Sequence, residues 1–99
     1  MRPVKILSVC GSGKVSSAML ASKLTTVLEE KGYDVETTEV DPGGVTRAIA
    51  ASSFDLIAYT SPLEDIYQIP LLNATGFLVG INEDEFLEKL FEVLETLTL

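Results

Sequence analysis

Apolar side chains recur along this chain at two alternating spacings, and the alternation predicts an order of strands and helices. Val4 to Val9 is a short run of aliphatic and β-branched residues and reads as a buried strand. Leu20, Leu24, Val27 and Leu28 then follow at helical spacing and form one stripe, with Lys23, Glu29 and Glu30 largely off it. Ser16 or Ser17 suits the N-cap of that helix, and Gly32 the position just past its end. Tyr33 to Val40 alternates polar with apolar, as a second strand would. Asp41-Pro42-Gly43-Gly44 is a turn cluster. Val45, Ala48 and Ile49 share one face of a short helix of about two to three turns. Ser52 to Asp55 breaks it, Leu56 to Tyr59 is a third strand, and Thr60 to Gln68 is a polar loop. Pro70 to Val79 supplies a fourth strand, interrupted by Asn73 and Gly76. Asn82 with Glu85 three residues on resembles a capping box. Phe86, Leu87, Leu90, Phe91, Val93 and Leu94 then line a closing helix, with Glu83, Asp84 and Glu85 favourable in its first turn.

Strands alternating with helices imply an α/β fold: a four-stranded parallel sheet with helices on both faces. Ligands of such sheets bind beyond the carboxyl ends of the strands. Composition agrees. The 99 residues are 46% hydrophobic and 22% charged, enough apolar matter for one core, so residues 1–99 are expected to form a single domain. The first apolar run, about six residues long, is too short and too broken for the apolar region of a secretory signal, and no apolar run reaches the roughly 18 residues a bilayer span needs. One cysteine cannot form an internal disulfide, which suits a reducing compartment. A cytoplasmic location is the expectation.

Net charge narrows the choice of partner. At −8 the chain is poorly suited to nucleic acid, whose phosphates must be neutralised by Lys and Arg, or to anionic lipid. The absence of histidine removes the commonest general base and metal ligand, and with one cysteine leaves no ordinary zinc site.

The remaining candidate chemistry gathers where the first strand ends. Cys10 stands there, followed by Gly11, Ser12, Gly13, Lys14, Val15, Ser16 and Ser17. A Walker A loop needs a glycine five residues before its second glycine and a hydroxyl after its lysine; Ser8 and Val15 occupy those places. A dinucleotide fingerprint would want glycine where Ser16 stands. What fits is a cysteine before a glycine-bearing turn and a helix N-terminus. Amides in such a turn form an anion nest, and the helix dipole favours negative charge. A thiol there is inclined to react as its anion, and a phosphoryl group on sulfur is the sort of group the place accepts. Gly11 and Gly13 are expected to free the backbone for positive φ and close approach, the serines to add hydroxyl donors, and Lys14 to add charge. The plain alternative is that Cys10 packs as a small buried hydrophobe. Low-molecular-weight tyrosine phosphatases use a similar Cys-x5-Arg loop, whose arginine clamps the phosphoryl oxygens; here Ser16 takes that place, which favours transfer over hydrolysis.

The stretch from Val9 to Met19 resembles the phosphorylation loop of the IIB subunits of the bacterial sugar phosphotransferase system, most like the galactitol type. Ile69-Pro70-Leu71-Leu72-Asn73 and Phe77-Leu78-Val79-Gly80-Ile81-Asn82 are also similar to that family, so the resemblance spans nearly the whole chain. It implies a flavodoxin-like sheet and a cytoplasmic phosphotransferase that associates with a membrane permease. Cys10 would take a phosphoryl group from a histidine of a IIA subunit and pass it to a sugar or polyol held by the membrane IIC subunit. Residues 11–17 would cradle the phosphate, with neither metal nor cofactor needed. A phosphatase-like hydrolase and a non-catalytic binding module of the same fold are the alternatives. Lesser candidates lie in the loop after the third strand. Tyr59 to Pro62 is expected near the cysteine, Glu64 and Asp65 are weak candidates for a general acid, and Tyr67 for an exposed docking contact.

Overall fold

The computed structural model describes residues 2–11, 14–61 and 67–97, with the backbone alone for 14–17. Strand β1 (Val4–Val9) is followed by helix α1 (Lys14–Glu30), strand β2 (Val35–Val40), a single 3-10 turn (Pro42–Gly44) and helix α2 (Val45–Ala51). Then come strands β3 (Leu56–Tyr59) and β4 (Leu71–Asn73), helix α3 (Thr75–Val79) and helix α4 (Glu83–Glu95). The strands form one parallel sheet in the order β2-β1-β3-β4, a flavodoxin-like arrangement.

That order explains the two-sided core. The chain steps from β1 to β2 in one direction and from β2 to β3 in the other. Crossovers of one hand must then lie on opposite faces of the sheet. Side chains of β1 divide accordingly. Val4 and Ile6 join Leu20, Leu24 and Leu28 of α1 and Phe86, Leu90 and Leu94 of α4. Leu7 and Val9 join Val45 of α2 and Ile57 of β3. β1 is therefore buried on both faces, which is why its sequence reads as an unbroken apolar run.

Local signals account for most boundaries. Gly32 has φ 88° and ends α1 as predicted: its N–H donates to Glu29 O, and the Tyr33 N–H reaches back to Leu28 O at 3.0 Å. This paired pattern is a Schellman cap, with Tyr33 packed on the cluster that contains Leu28. The cap occupies Tyr33 and Asp34, so β2 starts at Val35 and not at Tyr33.

Three expectations are corrected. First, α1 begins at Lys14, so the backbone of Ser16 and Ser17 lies inside its first turn and not at the N-cap position. Second, the stretch 70–79 is a strand of only three residues followed by α3. Asn73 ends the strand by accepting the Thr75 N–H on its side chain at 3.0 Å, an Asx turn that starts the helix. Third, Asn82 precedes α4 in the N-cap position but at φ 54°, and its side chain makes no cap hydrogen bond. Glu85 pairs instead with Lys89 at 3.6 Å, so the capping box does not form.

The start of β3 is fixed from outside the sheet. Asp55 precedes the strand; its N–H donates to Lys5 O at 2.8 Å, and its carboxylate accepts the Lys5 N–H at 2.8 Å. The side chain thus stands in for a strand carbonyl. The same carboxylate accepts two hydrogen bonds from Arg2, at 2.8 and 2.9 Å. Arg2 holds Asp55 below the usual carboxylate range, helped by the Lys5 amide and opposed by partial burial.

Candidate functional site at the end of the first strand

Cys10 is the residue after β1, and its N–H extends the ladder to β2 by donating to Val40 O at 3.2 Å. On the other side the Thr60 N–H donates to Val9 O at 2.9 Å. The cysteine therefore sits at the carboxyl edge of the sheet, at the strand from which the chain order runs in opposite directions. Binding sites of doubly wound sheets open at that switch point. Helix α1 starts four residues after Cys10, and its first amides have no partner within the helix.

The sulfur is enclosed. Cys10 is 1% exposed and belongs to the cluster on the α1 and α4 side of the sheet, in phase with Val4 and Ile6. This placement is what the packing alternative describes, and any transfer chemistry must begin by opening a way to the thiol. Of the expected cradle, Gly11 is exposed and its φ lies outside the positive region. Positive φ is thus not the reason for glycine there. A Cβ at position 11 would meet Ser61 Oγ, the rotatable end of a side chain, which marks the close approach of the loop after β3. Ser12 and Gly13 lie outside the described residues, and Lys14, Val15, Ser16 and Ser17 are helical in backbone, their side chains outside the description.

The loop after β3 comes to the same edge, as expected for Tyr59, Thr60 and Ser61. Thr60 O accepts a hydrogen bond from Thr75 Oγ1 at 3.4 Å, and Tyr59 O accepts the Ala74 N–H at 2.7 Å. Pro62, Glu64 and Asp65 lie outside the described residues. Tyr67 is not an exposed docking residue. It is half-buried against the α2 side of the sheet, its hydroxyl 3.5 Å from Thr46 Oγ1.

Sequence reasoning missed Lys23, which looked like an off-stripe surface residue. Its Nζ donates to Phe77 O at 2.6 Å, pairs with Glu83 at 2.6 Å and lies 4.6 Å from the Phe77 ring centroid. It ties α1 to the end of α3 and the start of α4. Phe77 in turn stacks on Phe86 with ring centroids 4.5 Å apart. Only a long cation on α1 opposite an acidic α4 start hinted at this.

A parallel four-stranded sheet with helices, and an enclosed thiol at its switch point, defines the class: a flavodoxin-like α/β fold. The family described as "PTS system, Lactose/Cellobiose specific IIB subunit" matches residues 5–89, and the chain belongs to that family. It is also 32% identical over 90 residues to "Putative phosphotransferase enzyme IIB component SgcB" of Escherichia coli (strain K12), a match covering 91% of this chain and 96% of that protein. Membership gives the chain a phosphoryl-transfer role in a sugar phosphotransferase system, with IIA and IIC subunits as its general kind of partner. Among the described residues, no helix is long and apolar enough to cross a membrane.

Proposed function

We propose that this chain is a cytoplasmic phosphoryl carrier in which Cys10 forms the phosphorylated intermediate. The Cys10 thiolate attacks the phosphorus of a phosphohistidine on a IIA subunit; the S–P bond forms as the N–P bond breaks. A sugar or polyol hydroxyl on IIC then attacks the same phosphorus, losing its proton as sulfur leaves. The loop from Gly11 to Ser17 supplies the amide donors, with the Ser16 and Ser17 hydroxyls assisting and no metal or cofactor taking part. The loop's resemblance to the galactitol kind supports a sugar or polyol as the cargo. The observation that carries this reading is the position of the chain's one cysteine at the switch point of the sheet, four residues before α1, in a chain of this family.

The closed sulfur adds a requirement. A phosphoryl group brings a charge of about −1.5 to −2, which an apolar cluster does not hold. A path from the sulfur to solvent must therefore open before transfer. Phosphoenolpyruvate, the general phosphotransfer proteins and a cognate IIA should add the mass of one phosphoryl group to the wild type and none to Cys10→Ala. Equal uptake by the variant rules out Cys10 as the carrier.

The 1% exposure of Cys10 favours a second reading, in which the cysteine only packs the core of a binding module. Thiol alkylation separates the two. The carrier reading expects modification at neutral pH that bound phosphate slows; a packing cysteine modifies slowly whether or not phosphate is present. Hydrolysis of aryl phosphates is expected to stay at background, since Ser16 stands where a phosphatase needs arginine.

A further inference from the structure

We propose that the seam between α1 and α3 is the docking surface for the phosphorylated IIA subunit, with Met19, Leu78, Val79 and Ile81 as its apolar centre. The inference rests on Cys10 being the carrier. Among the described residues, the large hydrophobic side chains left open to water are Met19, Val79 and Ile81, at 58%, 64% and 59% exposure. They are not scattered. Met19 shares a hollow of about 440 Å³ with Leu78, lined also by Ala18, Ser22 and Lys23. Val79 follows Leu78 at the end of α3, and Ile81 folds back on that helix, its N–H donating to Gly76 O at 2.7 Å. A second hollow of about 390 Å³ lies where Ile81 and Phe77 meet Leu72 and Phe86. α3 is thus a ridge between two hollows. Single exposed hydrophobic residues are ordinary, but a connected patch marks an interaction surface.

The patch lies over the cluster that encloses the thiol. Leu20, next to Met19, and Phe77, next to Leu78, belong to the buried cluster that holds Cys10. Met19 is five residues into α1, about 7.5 Å along its axis from the end nearest Cys10. α3 is tied to the same sheet edge: Thr75 Oγ1 donates to Thr60 O, and the Thr60 N–H donates to Val9 O. A stable interface covers about 800 Å² on each partner, a footprint about 30 Å across, so a protein seated on the seam also reaches the end of β1. Charge narrows the partner. Glu83, Asp84 and Glu85 stand in the first turn of α4 just after Ile81, and the neighbouring cation, Lys23, is already paired with Glu83 at 2.6 Å. An apolar centre beside an acidic rim fits a protein whose own apolar patch is bordered by Lys or Arg. Of the two partners that must reach Cys10, the permease is framed by anionic lipid, which repels such a rim; the phosphohistidine donor brings no such frame.

Met19→Glu and Val79→Glu test this, with Met19→Leu and Ala50→Glu as controls and Cys10→Ala as blank. Ala50 is exposed on α2, across the sheet from the seam, so its glutamate adds the same charge elsewhere. Phosphoryl uptake is followed over a range of phosphorylated cognate IIA concentrations, with circular dichroism as the check on folding and light scattering for size in solution. Met19→Glu and Val79→Glu are each expected to raise the KM for phosphorylated IIA about tenfold or more, with the saturated rate within about threefold of wild type. Met19→Leu and Ala50→Glu keep the wild-type KM. Should one glutamate variant lose its fold, the other carries the comparison. A wild-type KM in the folded variants overturns the docking surface, and so does an equal rise in Ala50→Glu, which makes the effect one of net charge. A saturated rate that falls while KM stays constant overturns it too. Variants that charge normally from IIA but fail to pass phosphate to sugar in permease-bearing membranes assign the seam to IIC. A wild-type dimer that the variants dissociate assigns it to a second copy, and either result overturns the proposal. Uptake by Cys10→Ala equal to wild type defeats the carrier reading and leaves the KM comparison standing, so the two failures are told apart.

Discussion

Replacing Asp55 tests how the edge of the sheet opposite the cysteine is held. Its carboxylate accepts the Lys5 N–H at 2.8 Å and two hydrogen bonds from Arg2. Asp55→Ala strands a partly buried strand amide, which costs about 1–3 kcal/mol. The Arg2 side of the pair is half-open to water, so loss of that ion pair adds little. The total is about 1–3 kcal/mol, or a fall in Tm on the order of 10 °C for a chain this size. Asp55→Asn keeps an acceptor for Lys5 but not the charge, and should lose about 1 kcal/mol. The pH dependence follows from the direction of the shift. Arg2 holds the folded carboxyl below its unfolded value of about 3.9, so its contribution is complete above that pH and is lost as pH falls through the lower, folded value. Urea unfolding at about pH 7 and about pH 2.5 should therefore show the gap between wild type and Asp55→Asn closing in acid. A gap that stays constant across that range, or an Asp55→Ala variant as stable as wild type, refutes the reasoning. Phosphoryl uptake by Asp55→Asn at pH 7 should be unchanged, since Asp55 lies at the far end of the strands from Cys10.

Other changes separate packing from chemistry. Gly76→Ala would set a methyl 2.6 Å from the Ile81 carbonyl oxygen, against backbone that already bonds Gly76 O at 2.7 Å; it should destabilise by more than an exposed helical Gly→Ala gains, read as a lower urea midpoint. Leu24→Ala empties a fully buried site in the α1 face of the core and should cost about 2–5 kcal/mol by the same measurement. Lys23→Met keeps the aliphatic stem but drops the Glu83 pair and the Phe77 carbonyl bond, with an expected loss of about 1 kcal/mol and a smaller effect at high salt.

The strands and long helices were legible because burial imposes period. β1, buried on both faces, and the α1 stripe could hardly be read otherwise, and Gly32 marked a real Schellman cap. Misreadings fell where tertiary contacts outvoted local preference. Asn82 carries the residue type of a helix cap, yet the chain reverses so tightly after α3 that Asn82 takes a left-handed conformation and its side chain cannot turn back to cap α4. The β4 strand stops at Asn73 because an Asx turn starts α3 at once, an event no apolar count anticipates. At the site, Cys10 and its glycines stood out in the sequence, with positive φ and close approach both expected of Gly11; its φ is not positive, and the neighbour that comes close is Ser61, fifty positions away. Contacts of that range leave no periodic trace in the chain. The enclosure of the thiol was read only as the packing alternative, because it depends on the phase of β1 carrying Cys10 onto the α1 face.

Phosphorus NMR of the intact chain after phosphorylation by phosphoenolpyruvate, the general phosphotransfer proteins and IIA goes straight to the bond in question. The account predicts one resonance in the thiophosphate-ester region, absent from Cys10→Ala. A resonance of an oxygen ester, or any protein-bound phosphorus signal that survives in Cys10→Ala, would contradict it.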